Sequence, residues 1–251
     1  MTPTTILVVP AYNEATRLDR AAFSAFIERA STAGLLFVND GSSDNTETVL
    51  REMAGANPRV RVLSLERNSG KAEAVRRGVL AAFDMGPRFI GYWDADLATP
   101  LAAAAELQDE LERWPETLLV MGSRVRLLGR TIARRSARHY LGRVFSTAAS
   151  LALGLGAYDT QCGAKLFRAV PELRACFAQP FSSRWIFDVE LLARLTQTAG
   201  SRGSANQAIR EYPLSEWRDL GDSRLSASDF LKAPMELMGI YWRLRRARRL
   251  S

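Results

Sequence analysis

Hydrophobic residues in the first half of the chain form short runs, separated by longer amphipathic stretches. Runs rich in Val, Ile, Leu and Phe have the length and composition of buried strands. The predicted strands are Thr5–Val9, Leu35–Asn39, Val60–Leu65, Phe89–Trp93 and Leu118–Met121. The predicted helices between them are roughly Leu18–Ala33, Asn45–Ala54, Ala72–Phe83 and Leu101–Trp114, with Asp44 and Pro100 as helix-start residues. This alternation predicts an α/β fold with a doubly wound, mostly parallel sheet flanked by helices.

The pattern changes after Gly122, where a basic stretch begins. This stretch, Arg124–Arg143, leads into a helix that we expect to end near Leu153. The rest of the chain predicts the following elements: a loop at Asp159–Lys165, a helix near Phe187–Thr198, a strand at Gln207–Tyr212 and a helical segment at Ser226–Arg249. We therefore expect a helical extension at the C-terminus.

Composition indicates a folded protein with an anionic partner. The 251 residues are 47% hydrophobic and 24% charged, which is typical of a globular domain rather than a disordered chain. The net charge of +7 favours binding to nucleic acid, to a phosphorylated ligand or to an anionic membrane. Composition alone leaves these three partners open.

Cysteine content and hydropathy indicate the cellular compartment in which the protein works. Cys162 and Cys176 are too few for a disulfide framework, so a reducing compartment is expected. Residues Met1–Val9 show no basic segment followed by a long apolar one, which predicts no signal peptide. No apolar run approaches the ~18 residues of a membrane span. We expect a cytoplasmic protein that is soluble or peripheral on a membrane surface.

Asp94 and Asp96 are the first candidate chemical group, directly after the predicted strand Phe89–Trp93. Carboxylates two residues apart on a loop can converge on Mg²⁺ or Mn²⁺ and bridge that ion to a diphosphate. Such a pair is also common in solvated turns. Its position at the carboxyl end of a strand favours the metal site, because ligands bind there in doubly wound sheets.

Other polar residues follow the remaining predicted strands. Asn13 and Glu14 follow the first strand, and Asp40 ends the second, where a nucleobase or ribose could be its partner. In the segment Asn68–Lys71, Gly70 allows close approach of the backbone and Lys71 can lie near a phosphate. The plainer alternatives are a turn at Asp40 and a solvated surface lysine at Lys71.

The order of these motifs resembles the family 2 glycosyltransferases. The motifs are Pro10–Glu14, Asn39–Thr46, Asn68–Lys71 and Asp94–Asp96. Two further segments, Asp159–Phe167 and Arg184–Leu192, resemble the branch that contains the dolichyl-phosphate glucosyltransferases and mannosyltransferases. The resemblance implies a GT-A-type fold with a catalytic domain at 1–225, divided into a nucleotide-sugar half at 1–122 and an acceptor half at 123–225. Residues 226–251 would form an amphipathic, basic helix.

The resemblance also implies roles for individual residues. The nucleotide-binding residues would be Pro10, Tyr12, Glu14, Asp40, Lys71 and Asp94, and the metal ligands Asp94 and Asp96, holding Mg²⁺ or Mn²⁺. The catalytic residues would be Asp94, Asp96, Arg124, Arg135, Gln161 and Asp188. The acceptor-binding residues would be Arg135, Ser136, Arg138, Lys165, Arg184, Trp185 and Arg224. Arg224 lies in a Gly-Asp-Ser-Arg-Leu segment, where the branch has Gly-Ser-Lys-Leu.

Ala98 bears on the identity of the donor. The mannosyl branch tends to have Gln at this position as an added metal ligand, and an alanine side chain cannot ligate a metal. We therefore favour UDP-glucose as the donor and keep GDP-mannose as the alternative. The resemblance implies a polyprenyl phosphate acceptor and an inverting transfer.

Two other functions are kept as hypotheses. Transfer to a sugar hydroxyl of a glycolipid or polysaccharide would need a catalytic base, for which Asp188 or Glu190 would serve. A basic nucleic-acid-binding module is the non-enzyme alternative, but the sequence contains no recognisable binding motif, and we predict no nucleic-acid partner. The aromatic and arginine-rich segment Ser226–Arg249 predicts either a helix docked on the core or one on the cytoplasmic face of a membrane.

Overall fold

A computed structural model of the chain describes residues 2–133, 147, 149–151, 153–184, 186–199, 205–218 and 235–242. The strands within these residues are β1 (Thr5–Ala11), β2 (Ala33–Asn39), β3 (Val60–Ser64), β4 (Phe89–Trp93), β5 (Leu119–Ser123), β6 (Thr131–Ala133), β7 (Ala164–Arg168), β8 (Ile209–Pro213) and β9 (Glu216–Arg218). Seven of them form one sheet in the order β3-β2-β1-β4-β7-β5-β8, and β6 pairs with β9 separately. The mostly parallel, doubly wound sheet is confirmed.

Helices cover both faces of the sheet. They are α1 (Arg20–Arg29), α2 (Thr46–Ala56), α3 (Lys71–Phe83), α4 (Ala103–Arg113), α5 (Pro171–Ala178), α6 (Phe187–Ala199) and the short α7 (Ala205–Ala208). Helices α3, α5 and α6 contribute to one apolar core, and α1, α2 and α4 to the other. Gly78 brings α3 close to the sheet, since a Cβ there would lie 2.3 Å from Cγ1 of Val8.

The strand directions bring several loops to one edge of the sheet. Strands β1, β2, β3 and β4 are mutually parallel. Strand β7 runs antiparallel to both β4 and β5, so β5 has the same direction as β4. The carboxyl ends of β1 to β5 therefore lie along one edge, which we call the carboxyl edge.

Several predicted boundaries were wrong. Helix α1 begins at Arg20, because the carboxylate of Asp19 caps it by accepting a hydrogen bond from the backbone N of Ala22 at 2.9 Å. The N-cap of α2 is Asn45 rather than Asp44, although the Asp44 carboxylate accepts a hydrogen bond from the Thr46 backbone N at 2.9 Å. A turn follows Pro100, so α4 begins only at Ala103.

Five short elements were missed by the sequence patterns: β6, β7, β9, α5 and α7, the last of which covers Gln207 and Ala208 of the predicted strand Gln207–Tyr212. The most consequential is β7, because its first residues were read as the end of the loop Asp159–Lys165. Lys165 interrupts the apolar pattern, yet its side chain is fully buried. A charged residue near the start of a five-residue strand hides that strand from a prediction based on hydrophobic runs.

The predicted C-terminal helix is described only at residues 235–242, which are helical and which we call the C-terminal helical segment. Ile240 of this segment is buried and Leu237 packs on the core. Ser183 Oγ donates a hydrogen bond to Glu236 Oε2 at 2.5 Å. Across the described residues, no helix is both long enough and apolar enough to cross a membrane.

Candidate active site

The loops after β1 and β2 are joined by hydrogen bonds. Asn13 adopts a left-handed conformation with φ of 50°, and its side-chain oxygen accepts a hydrogen bond from the Ser43 backbone N at 2.9 Å. The Glu14 backbone N donates to Thr46 Oγ1 at 2.8 Å. These bonds hold the predicted nucleoside-binding residues Pro10, Tyr12 and Glu14 beside the loop that begins at Asp40.

Asp40 supports the loop after β3. Its buried carboxylate accepts hydrogen bonds from the backbone N of Ser69 and of Gly70, both at 2.8 Å. Burial raises the pKa of Asp40, and these two bonds and the charge of Arg184 oppose that rise. The cost of burying this carboxylate is therefore offset by the loop that precedes Lys71.

Lys71, at the start of α3, faces the acidic pair after β4. Its Nζ lies 2.5 Å from Oδ1 of Asp94. Burial lowers the pKa of Lys71, but the charges of Asp94, Asp188 and Asp96 reverse that effect, and the net pKa is raised. Lys71 therefore provides a fixed positive charge at the carboxyl edge.

Asp94 and Asp96 have the chemistry of a divalent-cation site that a substrate must complete. The pKa of Asp96 is raised by desolvation and then by the negative charge of Asp94, a repulsion that a cation would relieve. Across the described residues, no group of three or more His, Cys, Asp or Glu side chains is placed to hold a metal. Mg²⁺ commonly binds through one or two carboxylates plus substrate phosphates. The pair fits that kind of site.

Gly163 lies directly against Asp94. The Asp94 backbone N donates a hydrogen bond to the Gly163 carbonyl at 2.9 Å. A Cβ at Gly163 would lie 1.9 Å from Oδ2 of Asp94, so only glycine leaves room for the carboxylate in this position. The pairing of β7 with β4, in which Ala164 faces Trp93, brings the two residues together.

A buried cluster of Tyr92, Lys165 and Asp188 lies near the acidic pair. Lys165 Nζ contacts Asp188 Oδ1 at 2.8 Å and donates to Tyr92 Oη at 2.9 Å and to the Cys162 carbonyl at 2.8 Å. The Tyr92 hydroxyl in turn donates to Asp188. An ammonium group has three donors, so those of Lys165 all have partners. Lys165, predicted to bind the acceptor, thus lies fully buried with its charge balanced by Asp188.

The charge of Asp188 also affects Tyr92. Burial raises the pKa of the Tyr92 hydroxyl well above its usual value, and the charge and hydrogen bond of Asp188 raise it further. The hydroxyl therefore remains protonated and continues to donate to Asp188.

Arg124, which directly follows β5, is fixed by Asp159. Its Nε and Nη2 lie 2.6 Å and 2.7 Å from the two carboxylate oxygens, and its backbone N donates to Oδ2 at 3.1 Å. Its guanidinium also lies over the Trp217 ring, 5.3 Å from the centroid. Glu211 accepts hydrogen bonds from the backbone N of Tyr158 and of Asp159, both at 2.7 Å. This arrangement fixes the loop that carries Gln161 and Gly163 against β5 and β8.

The remaining predicted residues fall into two groups. Gln161 is partly exposed in the loop before β7, and Arg184 is exposed with its Nε 3.4 Å from where a Cβ of Gly70 would lie. The others lie outside the described residues: Arg135, Ser136, Arg138, Trp185 and Arg224. Sequence reasoning gave no individual role to Tyr92, Asp159, Gly163 or Glu211. Asp159 and Gly163 lie in the Asp159–Phe167 segment, whose resemblance to the dolichyl-phosphate glycosyltransferases already marked these two positions as candidates.

An open, mostly parallel sheet with an acidic pair and a lysine at its carboxyl edge is the architecture of the GT-A glycosyltransferases. The sequence matches the family described as Glycosyl transferase family 2 over residues 6–172. The chain belongs to this family of glycosyltransferases.

Curated relatives can be aligned with this chain along nearly its whole length. A dolichyl-phosphate beta-glucosyltransferase of Trichomonas vaginalis is 34% identical over 255 residues, which cover 95% of this chain and 72% of that protein. A dolichyl-phosphate beta-glucosyltransferase of Mus musculus is 32% identical, with 98% of this chain and 79% of that protein covered.

Solved structures share the fold at low sequence identity. Glucosyl-3-phosphoglycerate synthase of Mycobacterium tuberculosis, in complex with Mn²⁺ and UDP-glucose, matches with a TM-score of 0.67 at 18% identity. The match covers 96% of this chain and 79% of that one. The same enzyme in complex with UDP matches with a TM-score of 0.66 at 19% identity, covering 95% and 80% of the two chains.

Proposed function

We propose that this glycosyltransferase moves glucose from UDP-glucose to a polyprenyl phosphate of the dolichyl-phosphate type, with inversion at the sugar. The names of the curated relatives, which the chain matches along nearly its whole length, support this donor sugar and this acceptor. Residues 1–225 would form the catalytic domain, with the donor bound mainly by 1–122 and the acceptor by 123–225. GDP-mannose remains the alternative donor.

The donor would bind at the carboxyl edge. Pro10, Tyr12, Glu14 and Asp40 would surround the nucleoside, and Lys71 would lie beside the diphosphate. Asp94 and Asp96 would hold Mg²⁺ or Mn²⁺, which would offset the charge of the diphosphate and of the departing nucleotide. The position of Lys71 supports this arrangement, because its Nζ lies 2.5 Å from Oδ1 of Asp94 and places a second positive charge next to the acidic pair.

The observation that carries the acceptor assignment is the environment of Asp188. Transfer to a hydroxyl requires a carboxylate that can accept a proton. Asp188, a candidate for that role, is 4% exposed, bonded to Tyr92 and paired with Lys165. The other candidate, Glu190, pairs with Arg194 at 2.7 Å and accepts a hydrogen bond from the Ser182 backbone N at 2.9 Å. Both carboxylates are engaged within the protein.

A lipid phosphate removes the need for such a base. A phosphate monoester is already an anion near neutral pH. It needs only positioning, and cations that offset its repulsion from the donor diphosphate. Arg184 and the predicted residues Arg135, Ser136, Arg138, Trp185 and Arg224 would supply these contacts, with Arg124 and Gln161 at the border of the site. Residues 226–251 would hold the protein as a peripheral component on the cytoplasmic face of a membrane.

Comparison of a short prenyl phosphate with the matching prenyl alcohol tests the acceptor. With UDP-glucose and Mn²⁺, we expect a glucosylated product from the phosphate and none from the alcohol, because Oδ1 of Asp188 is already engaged by Tyr92 and Lys165. Products would be read by mass spectrometry. Equal turnover of the two acceptors would reject the lipid-phosphate assignment and favour the hypothesis of transfer to a hydroxyl.

Calorimetry with UDP and GDP under matched Mn²⁺ tests the donor. We expect UDP to bind at least roughly tenfold more tightly, the effect of one or two hydrogen bonds to the base. Ala98 offers no side-chain ligand to the metal, and its backbone N donates to Asp96 Oδ1 at 3.0 Å. Tighter binding of GDP would favour a mannosyl donor instead.

A further inference from the structure

The loop between β5 and β6 exposes two adjacent leucines. Leu127 is 49% exposed and Leu128 is 104% exposed, while Gly129 turns the chain with φ of 80°. Two consecutive leucines at a loop tip place a contiguous apolar surface in water, and apolar surfaces of this kind commonly mark an interaction site. None of the proposed donor or acceptor contacts uses them.

The position of this loop relates it to the active site. It leaves β5 after Ser123, at the carboxyl edge, where Asp94 and Asp96 follow β4. It continues into β6, which pairs with β9. The exposed leucines therefore lie in a loop that starts at the edge where the donor and acceptor would enter.

The C-terminal helical segment presents a second apolar surface. Met235, Met238 and Trp242 are 70%, 55% and 59% exposed. Their spacing of three and four residues places them on one face of the helix, while Ile240 is buried in the core. The bond from Ser183 to Glu236 ties this helix to the segment in which Arg184 approaches Gly70, at the carboxyl edge. Both apolar surfaces are thus connected to the carboxyl edge.

Arginines accompany both apolar surfaces. Arg126 and Arg130 flank the exposed leucines along the chain, and Trp242 is followed by Arg243, Arg245, Arg246, Arg248 and Arg249. Apolar side chains beside arginines are the combination that binds an anionic bilayer, where the apolar groups enter the boundary of the acyl chains and the arginines contact headgroups.

We propose that Leu127, Leu128, Met235, Met238 and Trp242 form a two-part lipid-facing surface that seats the carboxyl edge on an anionic bilayer. This inference rests on the proposed function, in which the acceptor is a lipid. A membrane-borne phosphate could then reach the site of Asp94 and Asp96 while its prenyl chain remained in the bilayer.

Vesicle sedimentation tests the surface. Vesicles of phosphatidylcholine with about a third phosphatidylglycerol would be compared with vesicles of phosphatidylcholine alone, using wild type and the double variant Leu127→Ser/Leu128→Ser. We expect wild type to bind the anionic vesicles more tightly and the double variant to lose at least roughly tenfold in binding, since two leucines no longer enter the bilayer. Trp114→Ala is the control, because Trp114 is exposed at the opposite edge of the sheet, after α4.

A second variant tests the helical part. Met238→Ser/Trp242→Ser should also weaken vesicle binding, and circular dichroism would verify that it remains folded. Unchanged binding of the loop variant, or an equal loss with Trp114→Ala, would overturn the proposal. Binding of wild type to neutral vesicles as tight as to anionic ones would also contradict it. Concentration-dependent dimerisation that the loop variant abolishes, without vesicle binding, would assign the surface to self-association.

Turnover of a soluble, short prenyl phosphate separates this inference from the proposed function. The loop variant should glucosylate it at the wild-type rate, because none of the proposed donor or acceptor contacts involves the leucines. Intact vesicle binding without any transfer would reject the proposed function and retain the surface. Transfer by a wild type that binds no vesicles would reject the surface alone.

Discussion

Replacement of Asp96 by Asn is expected to reduce glucosyl transfer by about a thousandfold or more while leaving the fold intact. A divalent metal at such a site contributes several kcal/mol to stabilising the transition state, and each ~1.4 kcal/mol is a factor of ten in rate. The fold should persist because Asn has nearly the same shape as Asp, and because its side-chain oxygen can still accept the hydrogen bond from the Ala98 backbone N.

Transfer rates with UDP-glucose and a short prenyl phosphate would measure this loss, alongside thermal unfolding. Asp109→Asn is the matched control, since Asp109 is exposed on α4, away from the carboxyl edge. Wild type in excess EDTA should lose activity as Asp96→Asn does and recover it with Mn²⁺. Full activity of Asp96→Asn, or of wild type in EDTA, would show that the acidic pair holds no essential metal.

Gly163→Ala is expected to lower transfer by roughly a hundredfold, although it adds only a methyl group. The new Cβ would lie 1.9 Å from Oδ2 and 2.3 Å from Cγ of Asp94, so the carboxylate must move. A misplacement of about 1 Å in a catalytic site can cost a factor of a hundred. Gly163 does not have a positive φ, so alanine is compatible with the backbone and the effect is steric.

Mn²⁺ binding in the presence of UDP and the transfer rate would be measured together for Gly163→Ala. Both should fall, whereas the loss of stability from crowding should stay within roughly 1–3 kcal/mol. The control is Gly55→Ala, because Gly55 is within α2 and no atom lies within 4 Å of a Cβ there. That change should leave activity unaltered and raise stability by roughly 0.5–1 kcal/mol. Normal metal binding by Gly163→Ala would mean that Asp94 is not a ligand.

The sequence was sufficient to predict which loops meet at the carboxyl edge. The buried strands β1, β2 and β4 are uninterrupted apolar runs, and parallel strands joined by helices must end at the same edge. Asp40, Lys71 and Asp94 were therefore expected near one another, and the structure brings them together there. The Gly163→Ala substitution tests the predicted role of Asp94.

The pairing of charges could not be predicted in the same way. A basic or acidic residue in the sequence shows its own charge but not its partner, and Arg124 and Asp159 are 35 residues apart. Lys165 was expected to face the acceptor because it lies within the recognised motif Asp159–Phe167. Its burial depends on β7 entering the sheet between β4 and β5, which places its ammonium beside Tyr92, 73 residues earlier in the chain. Local patterns carry no information on such non-local pairs.

The insertion of β7 has a consequence for the order of folding. Strand β4 ends at Trp93, whereas β7, its neighbour, begins only at Ala164. Until residues 164–168 are synthesised and docked, one side of β4 is an unpaired edge whose five side chains are all destined for burial. Closing the sheet is therefore a late, long-range step of the kind that folds slowly and exposes a chain to aggregation. A fragment truncated after β5 would lack β7 and retain this open edge. We therefore expect such a fragment to aggregate.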